Sequence, residues 1–283
     1  MSPSSPTAAP PPPAPWFAVT MTIRNNVSTL PVTLPSILGQ LAAGGELVIV
    51  DAESTDGTAS LLSEAARANP SVHVVSRPCN RGIGRNLAVE RSTAPIVLTQ
   101  VDADNRYAPG VMAEVARHLR DHPEVDAAFA VGGADGDPSS TRFYAWRREA
   151  FARAGGYPDT QEREDPPLLL RAFRAGLRID RCYLPHVAED LKPRREGRAP
   201  TVSPWQRSYH TRWAARKFRV MGFRYGEYLR LLRLTRRTTS RFLAGAALGA
   251  VAYAEGALHR DGRAVLERDD EPRASPSSTG VRP

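Results

Sequence analysis

Asp102 and Asp104 stand one residue apart just after Ile96-Val97-Leu98-Thr99-Gln100-Val101, an apolar and β-branched run that begins at Pro95. Such a run reads as a strand buried on both faces of a parallel sheet. Ligands of open α/β sheets bind beyond the carboxyl ends of the strands, so two carboxylates placed there can converge on one ligand. Hard divalent cations take oxygen ligands, and Mg²⁺ is usually held by one or two carboxylates while phosphates and water complete its shell. The chemistry suggested is a metal bridging to a diphosphate. A solvated loop at a strand end would give the same letters, so the weight falls on the surrounding residues.

Three other groups of residues could do chemistry. Arg81 and Arg85 lie in a basic loop, 77–85, ahead of a helix expected from about Asn86 to Arg91, where backbone N–H groups and a guanidinium together favour phosphate. Asp51 closes a second apolar run, Leu47 to Val50, and the Ser54, Asp56 and Gly57 that follow read as a turn and helix cap. Asp165 follows Glu164 and precedes Pro166-Pro167 and a helix expected over Leu168 to Ala175, which places it as that helix's cap.

The elements that must hold these residues alternate. Phe17 to Ile23 reads as a first strand. A helix with Leu30, Leu34, Ile37, Leu38 and Leu41 follows, stopped by Gly44-Gly45 and expected to bend or restart at Pro35. Leu47 to Val50, a helix Ala59 to Ala68, Val72 to Val75 and the helix near Asn86 lead to the run ending in Asp102. Strand, helix, strand, helix, strand within about ninety residues is a doubly wound α/β pattern. Beyond it, Ala108 to Leu119 reads as helix, Ala127 to Val131 and Phe143 to Trp146 as strands, and Glu149 to Ala154 as a short helix stopped by Gly155-Gly156.

The 283 residues suffice for a sizeable core. The first fifteen residues and the stretch from about Arg268 are rich in Pro and Ser without apolar periodicity, and are expected to be disordered. No basic segment followed by an apolar run opens the chain, so no secretory signal is expected. Cys79 and Cys182 have no metal-ligand spacing and give no disulfide framework, which makes a cytoplasmic setting the default. The net charge of +8 suggests an anionic partner, and it is concentrated between Lys192 and Arg241, where Glu196 and Glu227 are the only acids.

The ordered pieces resemble the family 2 glycosyltransferases of the GT-A fold. They are Thr22-Ile23-Arg24-Asn25, Leu34 to Gln40, Val50-Asp51-Ala52-Glu53-Ser54-Thr55-Asp56-Gly57-Thr58, Arg85-Asn86, Val101 to Asp104, Arg147 to Phe151 before Gly155-Gly156-Tyr157, and Glu164-Asp165 with Arg171 and Gly176. The resemblance implies a Rossmann-like, mostly parallel sheet flanked by helices. Its donor half would be 16–120 and its acceptor half 121–200, followed by a basic helical extension, 201–262, with disordered tails at 1–15 and 263–283. It implies a metal-dependent, inverting transfer of a sugar from a nucleoside-diphosphate sugar to an acceptor hydroxyl, in glycan or glycolipid assembly. Thr22, Arg24, Asn25 and Asp51 would then hold base and ribose, and Arg81, Arg85 and Asn86 the diphosphate. Asp102 would reach ribose or metal, and Asp104 would ligate Mg²⁺ or Mn²⁺ directly. Asp165 would be the base, and Glu164 and Trp146 would contact substrate. A late histidine, His186 or His210, could complete the metal shell. Thr22 replaces the family's usual proline and Arg24 its usual aromatic residue.

In the basic extension, Trp205, Tyr209, Trp213, Phe218, Phe223, Tyr225 and Tyr228 interleave with arginines. Readers of single-stranded nucleic acid need a sheet or groove platform, and this stretch reads as helical, so no nucleic acid is expected. Phe242 to Ala254 is apolar but too short to span a bilayer. With its arginine flanks it suits a peripheral contact with anionic lipid, where a lipid-linked acceptor would be met. Two rival functions are a non-catalytic nucleotide-sugar or partner-binding module and a nucleotidyltransferase. The second wants a glycine-rich, lysine-bearing loop after the first strand, and Thr22 to Ser28 has neither residue.

Overall fold

A computed structural model describes residues 13–132, 141–160 and 164–191, with isolated positions between 224 and 254. Residues 1–12 and 263–283 of the proposed tails and most of the basic extension, His210 included, lie outside the described residues. The described residues fall into two compact units. One lies within Met1–Pro78, Leu87–Ala150 and Arg178–Lys192, the other within Cys79–Asn86, Phe151–Leu177 and Pro193–Pro283.

The first unit is built on β1 (Phe17–Ile23), α1 (Leu30–Leu41), β2 (Gly45–Asp51), α2 (Thr58–Ala68) and β3 (Val72–Ser76). α3 (Arg81–Arg91) begins in the second unit and leads back to β4 (Ile96–Thr99), β5 (Asn105–Tyr107), α4 (Val111–Asp121), β6 (Ala127–Val131) and β7 (Thr141–Arg147). α5 (Arg148–Arg153) leads out again to α6 (Asp165–Arg174) in the second unit, and β8 (Ile179–Tyr183) and β9 (Ala188–Asp190) complete the first. Seven strands form one sheet in the order β3-β2-β1-β4-β7-β6-β8, and β5 pairs with β9 separately. In the seven-stranded sheet the pairs β3/β2, β2/β1, β1/β4 and β6/β8 are parallel and those made by β7 with β4 and β6 are antiparallel, as is β5/β9.

Burial explains why these segments form strands. Every residue of β2 is buried, as is every residue of β4 and β6, which is how a sheet covered on both faces reads in sequence. α1 turns Leu30, Thr33, Leu34, Ile37, Gln40 and Leu41 inward and runs unbroken through Pro35. The expected restart does not occur. Pro35 forfeits one ladder bond, while the buried face and the anchors of Thr29 and Thr33 described below hold both sides of it.

α3 starts earlier than the sequence suggested. Asn80 caps it, its Oδ1 accepting from Ile83 N–H at 3.0 Å, and its carbonyl accepts the first helical bond from Gly84. Gly82 is present for packing: a Cβ there would stand 1.9 Å from the Pro158 carbonyl oxygen, and Gly82 N–H donates to Thr160 at 3.0 Å. α6 also starts earlier, and Asp165 is its first residue. Glu164 occupies the cap position without a side-chain capping bond, so the capping role expected of Asp165 is not realised.

Candidate functional site

Asn25, Glu53 and Gln100 are the non-glycine residues with left-handed backbone among those described, at φ of 56°, 58° and 62°. They lie just past the carboxyl ends of β1, β2 and β4. Such conformations cost free energy and persist where surrounding structure enforces them, as at ligand sites. For Asn25 the enforcing contacts are visible.

At the first two strand ends, Asn25 Oδ1 accepts from Thr55 N–H at 2.8 Å and Asn25 N–H donates to Ser54 Oγ at 2.8 Å. Ser54 Oγ in turn donates to Asp51 Oδ1 at 2.5 Å, fixing a carboxylate that is 2% exposed. Asp56 accepts from Val27 N–H, Thr58 N–H and the Thr58 hydroxyl. The hydroxyl bond is the chief cause that holds its carboxyl below the usual range. Ser54, Asp56 and Gly57 thus form the expected turn, with Gly57 at the N-cap of α2 in a left-handed conformation. Thr22 Oγ1 is sealed from solvent and has no hydrogen-bond partner among the described residues. Arg24 is exposed beside it.

At the third strand end, β4 stops at Thr99, two residues before the run expected from the sequence, and Gln100 turns the chain. Val101 and Ala103 then face the core, Asp102 is exposed and Asp104 is half-buried. The peptide between the carboxylates is held from three sides. Tyr107 Oη accepts from Asp102 N–H at 2.8 Å and donates to the Asp102 carbonyl at 3.1 Å. Thr29 and Thr33 hydroxyls donate to the Ala103 carbonyl at 2.7 and 2.9 Å. The Asp104 carbonyl accepts from Leu191 N–H at 2.8 Å. Burial, reinforced by the Asp102 charge, pushes the Tyr107 phenol far above its ordinary value, so it stays a neutral donor. Tyr107 and the two threonines were missed in the sequence. The signal was an aromatic residue five positions after Asp102 in an otherwise polar segment.

The second unit holds a different cluster. Arg85, 5% exposed, pairs with Glu164, 2% exposed, and its Nη1 lies 3.2 Å from Asp165 Oδ1. The guanidinium also sits over the Tyr157 ring at 5.3 Å. Because α3 begins at Arg81, Arg85 is inside the helix and not among its amino-terminal N–H groups, and its guanidinium meets the carboxylates of Glu164 and Asp165. Asn86 spends its amide on the backbone of one residue: Oδ1 accepts from Tyr157 N–H at 2.7 Å and Nδ2 donates to the Tyr157 carbonyl at 2.9 Å. Gly156, at φ 62°, leaves room for this, since a Cβ would meet Asn86 Oδ1 at 2.7 Å. Arg171 ties α6 to the end of α5 through the carbonyls of Ala154, at 2.9 Å, and Gly156.

Of the remaining expected site residues, Arg81 is exposed at the first turn of α3. Trp146 is wholly buried in β7 and packs on Tyr144 inside the core, a position with no exposed ring face for a substrate. His186 is a surface residue whose Nε2 lies 3.8 Å from Glu189. Among the described residues no three His, Cys, Asp or Glu side chains form a metal-holding group. Asp102 and Asp104 are therefore a two-carboxylate set of hard oxygen donors, which suits an ion that keeps water and phosphate in its shell.

The family model described as glycosyl transferase family 2 matches residues 18–178, more than half of the chain. The chain belongs to glycosyl transferase family 2. A polyprenol monophosphomannose synthase of Mycolicibacterium smegmatis is 31% identical over 130 residues, covering 42% of this chain and 47% of that protein. An undecaprenyl-phosphate mannosyltransferase of Micrococcus luteus is 28% identical over 137 residues, covering 46% and 55%. The chain spans about half the length of the curated relatives it matches. Among solved structures, the mannosyltransferase PcManGT from Pyrobaculum calidifontis, in complex with GDP-Man and Mn²⁺, superposes with a TM-score of 0.58 at 19% identity, covering 93% of this chain and 81% of that one. S. aureus TarS 1-349 with UDP-GlcNAc gives 0.55 at 20% identity, covering 70% and 65%. These likenesses carry the fold, and the GT-A architecture expected for family 2 is the one found.

Proposed function

We propose that this family 2 chain transfers a sugar from a nucleoside-diphosphate sugar to an acceptor, with a divalent cation held at Asp102 and Asp104 and with Asp165 as base. The observation that carries the reading is the D-x-D peptide at the end of β4, pinned by Tyr107, Thr29 and Thr33 while Asp102 stays exposed. The names of the relatives and the ligands of PcManGT and TarS support the same donor class.

The cation, when bound, neutralises charge that builds on the departing diphosphate. Asp51, its carboxylate fixed by Ser54, accepts hydrogen bonds from base or ribose. Asp165 takes the proton of an acceptor hydroxyl as its oxygen bonds to the anomeric carbon and the bond to the diphosphate oxygen breaks, the electron pair leaving with the diphosphate. One displacement on the face opposite the leaving group inverts the anomeric centre. Arg85 and Glu164 set the orientation of the Asp165 carboxylate.

The relatives are named for polyprenol phosphates, which favours a lipid-borne acceptor. No helix among the described residues is long and apolar enough to cross a membrane. A phosphate oxygen is already ionised and needs no base, whereas a hydroxyl does. The two acceptors therefore make opposite demands on Asp165.

The deciding experiment measures donor binding and turnover across GDP- and UDP-sugars with Mg²⁺ or Mn²⁺, with a polyprenyl phosphate and with an alcohol acceptor. Wild type should turn over one donor, Asp104→Ala should lose metal-dependent binding, and Asp165→Asn should bind donor yet fail with the alcohol. Donor binding without any turnover would make the chain a binding module instead.

A further inference from the structure

A cavity lies at the end of the sheet opposite Asp102 and Asp104. It encloses about 540 Å³ and is lined by Trp16, Thr93, Pro95, Ile96, Arg120, Arg147, Arg148 and Glu149. The register places it: Ile96 pairs with Phe17 on one side and with Arg147 on the other, so these residues surround the amino ends of β1 and β4. Asp51, Asp102 and Asp104 stand at or beyond the carboxyl ends of β2 and β4 in the same unit.

Three guanidiniums face this cavity against one carboxylate, Glu149. Arg147 and Arg148 are fixed in place by neutral groups. Arg147 donates from Nε to Val125 at 2.9 Å and from Nη2 to the carbonyls of Leu119 and His122, while Arg148 donates to the carbonyls of Ala94 and Val89 and to Ser92 Oγ. These bonds set their positions and leave their charge in place, for neither makes an ion pair among the described residues. Glu46 acts on Arg148 only at a distance, because its Oε1 is occupied by the N–H groups of Thr93 and Ala94 and the Thr93 hydroxyl. Nη1 of Arg147 makes no hydrogen bond among the described residues.

Arg120 adds the third cation from the last turn of α4. Its guanidinium lies 4.7 Å from the centroid of the Trp16 ring, and its Asp121 contact is long, at 3.9 Å, and solvent-exposed. Trp16 is itself held by a 2.6 Å bond from Nε1 to the Ala43 carbonyl. The ring, Pro95 and Ile96 give the cavity an apolar wall beneath the cations. Preplaced guanidiniums over an apolar wall recognise an anion with an apolar body, and the charge is pre-paid by the fold.

From this we infer a second ligand site, a receptor for a phosphate monoester carrying an apolar group, formed by Arg120, Arg147 and Arg148 with Trp16 as its wall. It is distinct from the D-x-D end and needs no metal. The phosphate could be that of a lipid headgroup or of a small soluble molecule, since both present the same dianion and apolar neighbour.

Phenyl phosphate is the probe, titrated by calorimetry and tryptophan fluorescence in the presence of a chelator, so that binding through a cation at Asp102 and Asp104 is suppressed. Saturable binding that exceeds binding of phenol and weakens with added salt is expected. Arg120→Glu, an exposed change that leaves Arg147 and Arg148 bonded, should weaken it at least about tenfold. Glu149→Gln should tighten it, a gain that damaged folding would not produce. Vesicles of phosphatidylcholine with phosphatidic acid separate the sources: competition with phenyl phosphate assigns the site to a lipid phosphate, and binding without competition to a soluble one. Absence of saturable binding, or binding unchanged in Arg120→Glu, overturns the site. Neither result bears on sugar transfer, which is read separately with metal and donor.

Discussion

Tyr107 closes on the Asp102 peptide from both sides, accepting from its N–H at 2.8 Å and donating to its carbonyl at 3.1 Å through one phenolic oxygen. The ring that carries this oxygen is 2% exposed and lies edge-on to Phe143 at 6.2 Å. Tyr107→Phe keeps the ring and removes both bonds. It should cost about 1–3 kcal/mol of stability by urea denaturation. Under the proposed function, metal-dependent donor affinity should fall as well, because the carboxylates then sit on a looser peptide. A variant as stable as wild type and equal in donor binding would show that the Thr29 and Thr33 anchors suffice.

The same phenol gives an alkaline limit. Its folded pKa is raised far above the ordinary value near 10, so its contribution to stability is complete below pH 10 and declines as pH rises above it. Above that point the unfolded tyrosine ionises while the folded one resists. The loss approaches about 1.4 kcal/mol per pH unit for one group. Melting curves from pH 9 to 11 should therefore fall more steeply for wild type than for Tyr107→Phe. Parallel curves would assign the alkaline loss to other groups.

Asn86 and Gly156 form a matched pair in the second unit. Asn86→Asp retains the acceptor for Tyr157 N–H but turns the donor facing the Tyr157 carbonyl into a second acceptor. Gly156→Ala drives a Cβ to 2.7 Å from Asn86 Oδ1 and strains a backbone at φ 62°. Each should destabilise by about 1–3 kcal/mol. Gly156→Ala combined with Asn86→Ala should cost less than the sum of Gly156→Ala and Asn86→Ala measured singly, since the clash needs both side chains. Additivity in a double-mutant cycle would contradict that contact.

The sheet was legible because β1, β2, β4 and β6 are buried on both faces and so read as continuous apolar runs, and the carboxylates at their ends came with them. Less legible were positions where one residue serves a distant partner. Gly82 and Gly84 read as a loop, yet Gly82 lies in α3, where its missing side chain admits the Pro158 carbonyl. Local sequence shows the charge of Arg85 and not its partner Glu164, seventy-nine positions on. Trp146 read as a substrate contact, but period-two burial fails in a strand whose residues 143–146 are all buried, so no pattern marked its ring as core. Tyr107 gave only a faint signal for a different reason: its partner is backbone, which every residue has.

The Arg85 and Glu164 pair gives the sharpest separation of fold from chemistry. Both side chains are almost wholly buried, so removing one partner leaves a charge without its counterion in a low-dielectric setting. Arg85→Met should therefore cost about 3–5 kcal/mol, while Arg85→Met with Glu164→Leu should recover much of that loss, because the pair is replaced by apolar volume. Activity should not follow stability. If Arg85 and Glu164 orient Asp165, the double variant stays folded yet loses kcat with an alcohol acceptor, and KM for the donor changes little. Arg85→Lys, which keeps the charge but not the planar fork, should fall between the two. A double variant with wild-type kcat would confine the pair to stability, and one whose KM for the donor rises in step would return Arg85 to the diphosphate.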